Sequence, residues 1–345
     1  MKEEVKKVIL ICLIVLFFSL IFLISLRFIF SNNDLSCADK TKNNECSDVK
    51  PYFCLNGNLI KNASFCDCPT NSETEGNNCI SKYEIVPKEI VLNYTLRGKE
   101  GNISLIVYQG IYNYTSNLPR YIDSNENPTI LDFRLKNINE EFQREFLFPL
   151  IVKIGNITNN KEDQARIAIS LVQNIPYGYS KKSYLFNKIN KVDYQRYAYE
   201  VLYDLQGVCG EKSALLIFLL RELNYGTSFI YYLPENHEAT GIKCPIKNSL
   251  NNTGYCFIET TSPSIIGDDK IEFIETGELI STPQIIVVSE GESFGKNQYE
   301  YKDAKTLMNI RETINKYGAV NFIQSMQFKK LTKKYGLLTF ETYQF

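Results

Sequence analysis

A chain of 345 residues, 44% of them hydrophobic, with a formal net charge of −1 is long enough for one or two globular domains. It contains no long run of lysine or arginine, which argues against nucleic acid as the main partner. Tryptophan is absent, while tyrosine and phenylalanine number 23 and 21, so an aromatic-rich core is expected.

The first expected element is a membrane anchor. Val8 to Phe30 holds one charge, Arg27, and the uninterrupted stretch Val8 to Leu26 is 19 residues. At about 1.5 Å per residue it nearly spans a ~30 Å hydrocarbon core. Lys2, Lys6 and Lys7 precede it, so residues 1–7 are expected in the cytoplasm and the C-terminal domain outside the cell. A cleaved signal peptide is the alternative, but the segment ends Leu-Arg-Phe-Ile-Phe rather than in small residues. Six Asn-x-Ser/Thr sequons follow, at Asn62, Asn93, Asn102, Asn113, Asn156 and Asn251.

Residues 31–82 read as a polar, cysteine-rich stalk with little to bury. Cys37, Cys46, Cys54, Cys66, Cys68 and Cys79 form an even set, the pattern of a disulfide-stapled module in an oxidising compartment. The order of these cysteines, with Cys66-x-Cys68, loosely resembles an epidermal-growth-factor-like spacing. Six cysteines allow 15 pairings, and spacing does not choose among them. A zinc site is the competing reading, but the module has no Cys-x-x-Cys and no histidine. A spacer role is expected.

Residues 83–154 alternate short β-type runs with turn residues, as at Ile90-Val91-Leu92 and Ile103 to Tyr108, and are expected to be β-rich. Gln164 to Gln173 then carries Ala165, Ile167, Ala168, Leu171 and Val172 on a helical face, and Asn174-Ile175-Pro176 ends it. Tyr197 to Leu205 is a short helix or strand leading into Gly207. Gly207-Val208-Cys209-Gly210 introduces a run, Ala214 to Leu220, that is apolar on every side. Such a helix is buried all round. It would hold the Cys209 thiol at its first turn, where orphan N–H groups and the helix dipole favour negative charge.

A β-type run from Thr227 to Leu233 leads to His237, the one histidine in the chain, and a further strand, Tyr255 to Thr261, carries Glu259. Thiol, imidazole and carboxylate are the set needed for nucleophilic acyl transfer: one attacks, one moves the proton, one orients the ring. Placing His237 opposite Glu259 centres the hairpin on Asn248. A bridge between Cys244 and Cys256, worth about 3 kcal/mol in the loop-entropy account, centres it on Leu250. Both hold only with the bridge in the loop or with a bulge. A zinc site from Cys209, His237, Cys244 and Cys256 is the alternative for these cysteines.

These segments resemble the transglutaminase-like superfamily, which shares a papain-like core. Gly207 to Ala214 is similar to that family's nucleophile motif, Pro234-Glu-Asn-His237 to its histidine motif, and Glu259-Thr-Thr261 stands where its acidic residue, usually Asp, is found. Gln164 to Tyr177 is similar to the preceding helix and tyrosine. The likeness covers roughly Asp163 to Gly267, a little over a quarter of the chain. It implies an α+β fold with a central buried helix on an antiparallel sheet over residues 155–290. The catalytic residues it implies are Cys209, His237 and Glu259, with no metal and no cofactor. The expected activity is a thioester-forming hydrolase acting on an extracellular protein or peptide. A surface protein that keeps the fold only for binding is the second reading. Tyr177 is a candidate for an oxyanion hole with the Cys209 N–H, or else a core tyrosine.

Gly291 to Lys296 is one residue short of a phosphate loop and has Asn297 in place of Ser or Thr. Residues 291–345 are expected to form a helical extension interrupted near Gly318, ending in Lys329, Lys330, Lys333 and Lys334.

Overall fold

The computed structural model describes residues 13–21, 35–70, 72–122, 127–186, 190–273 and 277–337. Residues 13–21 are helical (α1) and exposed. Among the described residues no helix is long and apolar enough to cross a membrane. The rest of the expected anchor, at 8–30, lies outside the described residues.

The cysteine-rich module contains two small hairpins, β1 (Tyr52–Leu55) with β2 (Asn58–Lys61) and β3 (Ser72–Glu75) with β4 (Asn78–Ser81), around a single helical turn, α2 (Ala63–Cys66). Its cysteines pair first to third, second to fourth and fifth to sixth: Cys37–Cys54, Cys46–Cys66 and Cys68–Cys79. The module is not a free stalk. Cys37, Ala38, Val49, Tyr52, Cys54 and Leu59 are buried in the same apolar cluster as the main domain. The Tyr52 ring lies 5.2 Å from that of Phe148, and Lys161 Nζ donates to the carbonyls of Cys37 and Ala38 at 2.9 and 2.8 Å. Gly155 permits this approach: a Cβ there would stand 2.8 Å from the Ala38 methyl.

The expectation of a β-rich segment holds only to Tyr108. β5 (Pro87–Leu96) and β6 (Lys99–Tyr108) form one long hairpin, turned by Arg97 and Gly98, both at positive φ as its two-residue turn requires. Helices follow: α3 (Gln109–Asn117), α4 (Ile130–Ile138) and α5 (Glu141–Ile157). In α5, Gln143, Phe146, Leu147, Leu150, Ile151 and Ile154 are buried at helical spacing, and the Glu140 carboxylate caps the N–H groups of Phe142 and Gln143. The expected division at residue 154 falls inside this helix.

α6 (Lys161–Gln173) is buried from Asp163 onward. A small hairpin, β7 (Ser183–Phe186) and β8 (Asn190–Asp193), and the short α7 (Ala198–Asp204) lead to α8 (Cys209–Glu222), which is buried from Glu211 to Leu220 as its all-apolar run predicts. α8 packs on an antiparallel sheet of order β11-β10-β9-β14, formed by β9 (Thr227–Tyr232), β10 (His237–Lys243), β11 (Tyr255–Ile258) and β14 (Gln284–Ser289). Both faces of the sheet are covered. Phe229 and Ile242 join the cluster around α8, while Ile230, Tyr232, Ala239 and Phe257 form a second cluster with Leu250 and Leu279.

Two-residue strands β12 (Glu272–Phe273) and β13 (Gly277–Glu278) precede β14. The chain ends in α9 (Glu300–Tyr317), stopped by Gly318 at φ 71, and α10 (Phe322–Tyr335). Arg166 of α6 holds Glu300 of α9 through Nε and Nη2, and Phe294 and Tyr301 are buried in the main cluster. The extension is therefore part of the core. The molecule is α+β, with small antiparallel sheets and disulfide-bonded cysteines.

Candidate active site

α8 starts where the chain is held on both sides. Val208 is extended (φ −86, ψ 172), and its N–H donates to Glu211 Oε2 at 3.0 Å. The same buried carboxylate accepts from the Arg196 backbone N at 2.7 Å and from Arg196 Nη1 at 3.0 Å. Upstream, Gly207 N donates to the Pro176 carbonyl and Gly178 N to the Gly207 carbonyl, each at 3.2 Å. The loop after α6 and the loop before α8 are thus one stitched pair. They present Cys209 as the first residue of the helix, half-buried and, among the described residues, the one free thiol.

The histidine and the carboxylate come together as the sequence motifs require, though not in the expected register. In the β10–β11 ladder Thr240 faces Ile258 and Ile242 faces Cys256. That is midway between the register that sets His237 opposite Glu259 and the one that sets Cys244 opposite Cys256. Both pairs therefore meet diagonally. His237 Nε2 lies 2.9 Å from Glu259 Oε2, and Cys244 and Cys256 are bridged with their Cα atoms 5.8 Å apart. No bulge is needed, because the diagonal neighbours of an antiparallel pair are within side-chain reach. The bridge also takes Cys244 and Cys256 out of the zinc alternative.

Glu259 is fully buried and saturated. Its Oε1 accepts from Thr260 N at 2.9 Å, Thr261 N at 2.7 Å and Thr261 Oγ1 at 2.6 Å, and its backbone carbonyl accepts from Gln173 Nε2 at 2.9 Å. This leaves Oε2 for the imidazole alone and fixes the plane in which the ring lies. His237 is buried. Desolvation by itself lowers its pKa, but hydrogen bonds to the Cys209 and Glu259 side chains and the charges of both outweigh it, and the pKa is pushed up to about 9. With Nε2 engaged by Glu259, the ring nitrogen left for Cys209 is Nδ1.

A polar seam keeps α8 in register with the sheet. Ser213 Oγ lies 3.1 Å from Thr260 Oγ1, Thr260 Oγ1 donates to the Cys209 carbonyl at 3.4 Å, and Thr240 Oγ1 donates to the Ser213 carbonyl at 3.4 Å. Lys212, one turn beyond Cys209, is completely buried. Its ammonium donates to the carbonyls of Ile175, Thr261 and Gln173. Burial pushes its pKa down to about 7, with the Glu259 charge opposing the fall. It ties the end of α6 to the turn that holds Glu259. The sequence places Lys212 beside the nucleophile without indicating that role.

Tyr177 is not a core tyrosine. It is 38% exposed, its hydroxyl donates to that of Tyr179 at 3.1 Å, and its backbone bridges to Gly207.

Two residues beside Cys209 escaped the sequence reading. Glu238, next to His237 in β10, is buried and ion-paired through Oε1 with Arg134 of α4. A Cβ on Gly210 would lie 2.5 Å from Glu238 Oε2 and 3.9 Å from Arg134 Nη1, so both groups reach down onto the first turn of α8. Arg134 is distant in sequence and sits on a helix where strands were expected, so no motif pointed to it.

A large open cleft of about 860 Å³ lies elsewhere, between the cysteine-rich module (Lys40, Glu45, Asp48) and Arg144, Arg221 and Glu222. Arg221 and Glu222 end α8, so this cleft is at the opposite end of the central helix from Cys209. No protein-family model matches the chain, and no curated protein matches it.

Proposed function

We propose that this protein is a thiol-dependent acyl-transfer enzyme of transglutaminase-like type with a papain-like core, acting on an amide of a protein or peptide. The observation that carries the reading is the continuous chain from a buried, saturated Glu259 through the single histidine to a half-exposed thiol at a helix start. That arrangement costs free energy to bury, and a merely structural role does not require it.

In the proposed reaction His237 carries the proton and Cys209 the negative charge. Sγ attacks the amide carbon, and the S–C bond forms as the C=O π pair moves onto oxygen. The first-turn N–H groups of α8, which lack partners within the helix, are the proposed donors to that oxyanion. As the C–N bond breaks, the imidazolium gives its proton to the departing amine. Water, deprotonated by the now neutral His237, then attacks the thioester carbon. As the adduct collapses the S–C bond breaks, a carboxylic acid is released, and the Cys209 thiolate and His237 imidazolium are restored. Glu259 holds the ring orientation and stabilises its charged form throughout. Hydrolysis is the first choice of outcome, with amine transfer as the variant.

The disulfides favour an oxidising compartment. The sequons at Asn93, Asn102, Asn113, Asn156 and Asn251 are exposed. Together with the apolar N-terminal segment they support an extracellular domain anchored to the cell membrane.

The test is alkylation of Cys209 by iodoacetamide, followed by mass spectrometry, in the wild type and in His237→Ala. The wild type should react at least tenfold faster at neutral pH, and equal rates sink the proposal. Peptide-library profiling of wild type against Cys209→Ala then identifies the substrate. A second reading, a binding protein, is favoured by the position of the large cleft away from Cys209. It predicts ligand binding that survives Cys209→Ala.

A further inference from the structure

The ion pair beside Cys209 is built unlike three other buried ion pairs of this molecule. Arg120, Arg166 and Arg196 spread their guanidinium donors over several acceptors. Arg120 reaches four carbonyls, a phenol and Glu200, Arg166 reaches Asp163, Gln298 and Glu300, and Arg196 reaches Asp204, Gly178 and Glu211. Arg134, among the described residues, makes one hydrogen bond, from Nη2 to Glu238 Oε1. Its side chain is 23% exposed, and the rest of the guanidinium lies over the rings of Phe229 and Tyr231 at 5.7 and 5.9 Å. Glu238 is itself 4% exposed, and its buried Oε2 has no hydrogen-bond partner among the described residues.

An under-used guanidinium held by an incompletely satisfied carboxylate is costly, because a buried acceptor without a partner forfeits its desolvation energy. The pair stands over Gly210, whose missing side chain leaves room for it one residue from the nucleophile. With one Nη2 hydrogen on Glu238, the second Nη2 hydrogen and Nη1 remain as a fork that matches a carboxylate.

We propose that Arg134 binds a carboxylate of the substrate close to the scissile amide, and that Glu238 is the positioning residue that holds the guanidinium in place. The acyl-transfer site would then select anionic substrates, either a peptide ending in a free carboxylate or one with an acidic side chain beside the bond. This rests on Cys209 being the reacting group.

The two readings separate in one experiment with a charged and a neutral alkylating reagent. Rates of Cys209 labelling by iodoacetate and by iodoacetamide are measured in wild type, Arg134→Gln and Arg134→Lys, with folding checked by thermal melting. The ratio of the two rates should fall roughly fivefold or more in Arg134→Gln, as expected for losing a unit charge that stands over the residue next to the thiol, and recover in part in Arg134→Lys. An unchanged ratio overturns the assignment. The ratio can be measured against a His237→Ala background too, so a thiol that reacts no faster in the wild type would defeat the catalytic reading while the ratio still reports the charge at Arg134. Peptide libraries with free or amidated C-termini, and with Glu or Gln beside the bond, distinguish the two sources of carboxylate. Preference for either acidic form that is lost in Arg134→Gln supports the proposal, and preference for neither overturns it.

Discussion

His237 and Glu259 touch at 2.9 Å although they are not partners in the β10–β11 ladder. The contact depends on Glu259 being fixed from its other side by the Thr260 and Thr261 N–H groups and the Thr261 hydroxyl. Glu259→Gln keeps the shape but offers an amide where the ring needs an anion. Reactivity of Cys209 toward iodoacetamide should fall about 10²-fold, while circular dichroism remains that of the folded protein.

The chain has a single histidine, so proton NMR reports His237 without assignment. Its titration should centre near pH 9 in the wild type and move toward the ordinary imidazole range in Cys209→Ala, because the bond to Cys209 heads the influences that raise it. A midpoint near 6.5 in the wild type would contradict the geometry described above.

The same shift has a sign for stability. A folded-state pKa raised from 6.5 to about 9 means that His237 contributes its full stabilisation below about pH 6.5, and that this is lost as pH rises through about 9. Melting temperatures across pH 6–10 should therefore decline more steeply in the wild type than in His237→Asn. If acyl transfer needs the imidazolium, activity should also have a basic limb near pH 9.

Cys244 and Cys256 close a 12-residue separation on the hairpin that brings Glu259 to His237. Replacing both by serine should cost about 2–3 kcal/mol in urea unfolding. It should slow Cys209 alkylation by more than that loss alone implies, since the diagonal register is no longer pinned. Equal reactivity in the folded double variant would show that the ladder holds the register by itself.

Tyr52 joins the cysteine-rich module to α5 through the Phe148 ring. Tyr52→Ala should destabilise the protein by about 3 kcal/mol. Limited proteolysis should then cut between the module and β5 first. If the module were only a tether, the main transition would not move.

The sequence was most informative where local chemistry and burial agree. An all-apolar run between glycines can only be a fully buried helix, and α8 is one from Glu211 to Leu220. The same holds for α6, β9, β10 and the break at Gly318. It was least informative where a helical pattern is masked by local composition. In α5 the apolar positions recur at helical spacing, but the consecutive Phe146-Leu147-Phe148 and the internal Pro149 hide them behind a β-type run. The docking of the module was hidden for a different reason. Ala38, Val49, Tyr52 and Leu59 are scattered among polar residues, and only the disulfides gather them onto one face. For the site, the order Cys, His, Glu was readable along the chain. Arg134 was not, because its place beside Cys209 is set by how α4 packs on α8, a long-range relation with no local trace.

Docking of the cysteine-rich module changes what the N-terminal segment can do. A loose spacer would let the domain sweep a wide volume and meet substrates far from its attachment point. Here the first residues of the module, Cys37 and Ala38, are already clamped to α5 and α6. If the apolar segment ending at Phe30 lies in a bilayer, the slack from Phe30 to Leu35 is at most about 18 Å. The Cys209 thiol, at the end of α8 away from the module, would then be held at a limited height above the lipid surface. Encounter would be governed by lateral diffusion in two dimensions, and substrates displayed on the same membrane would be favoured over those arriving from bulk solution.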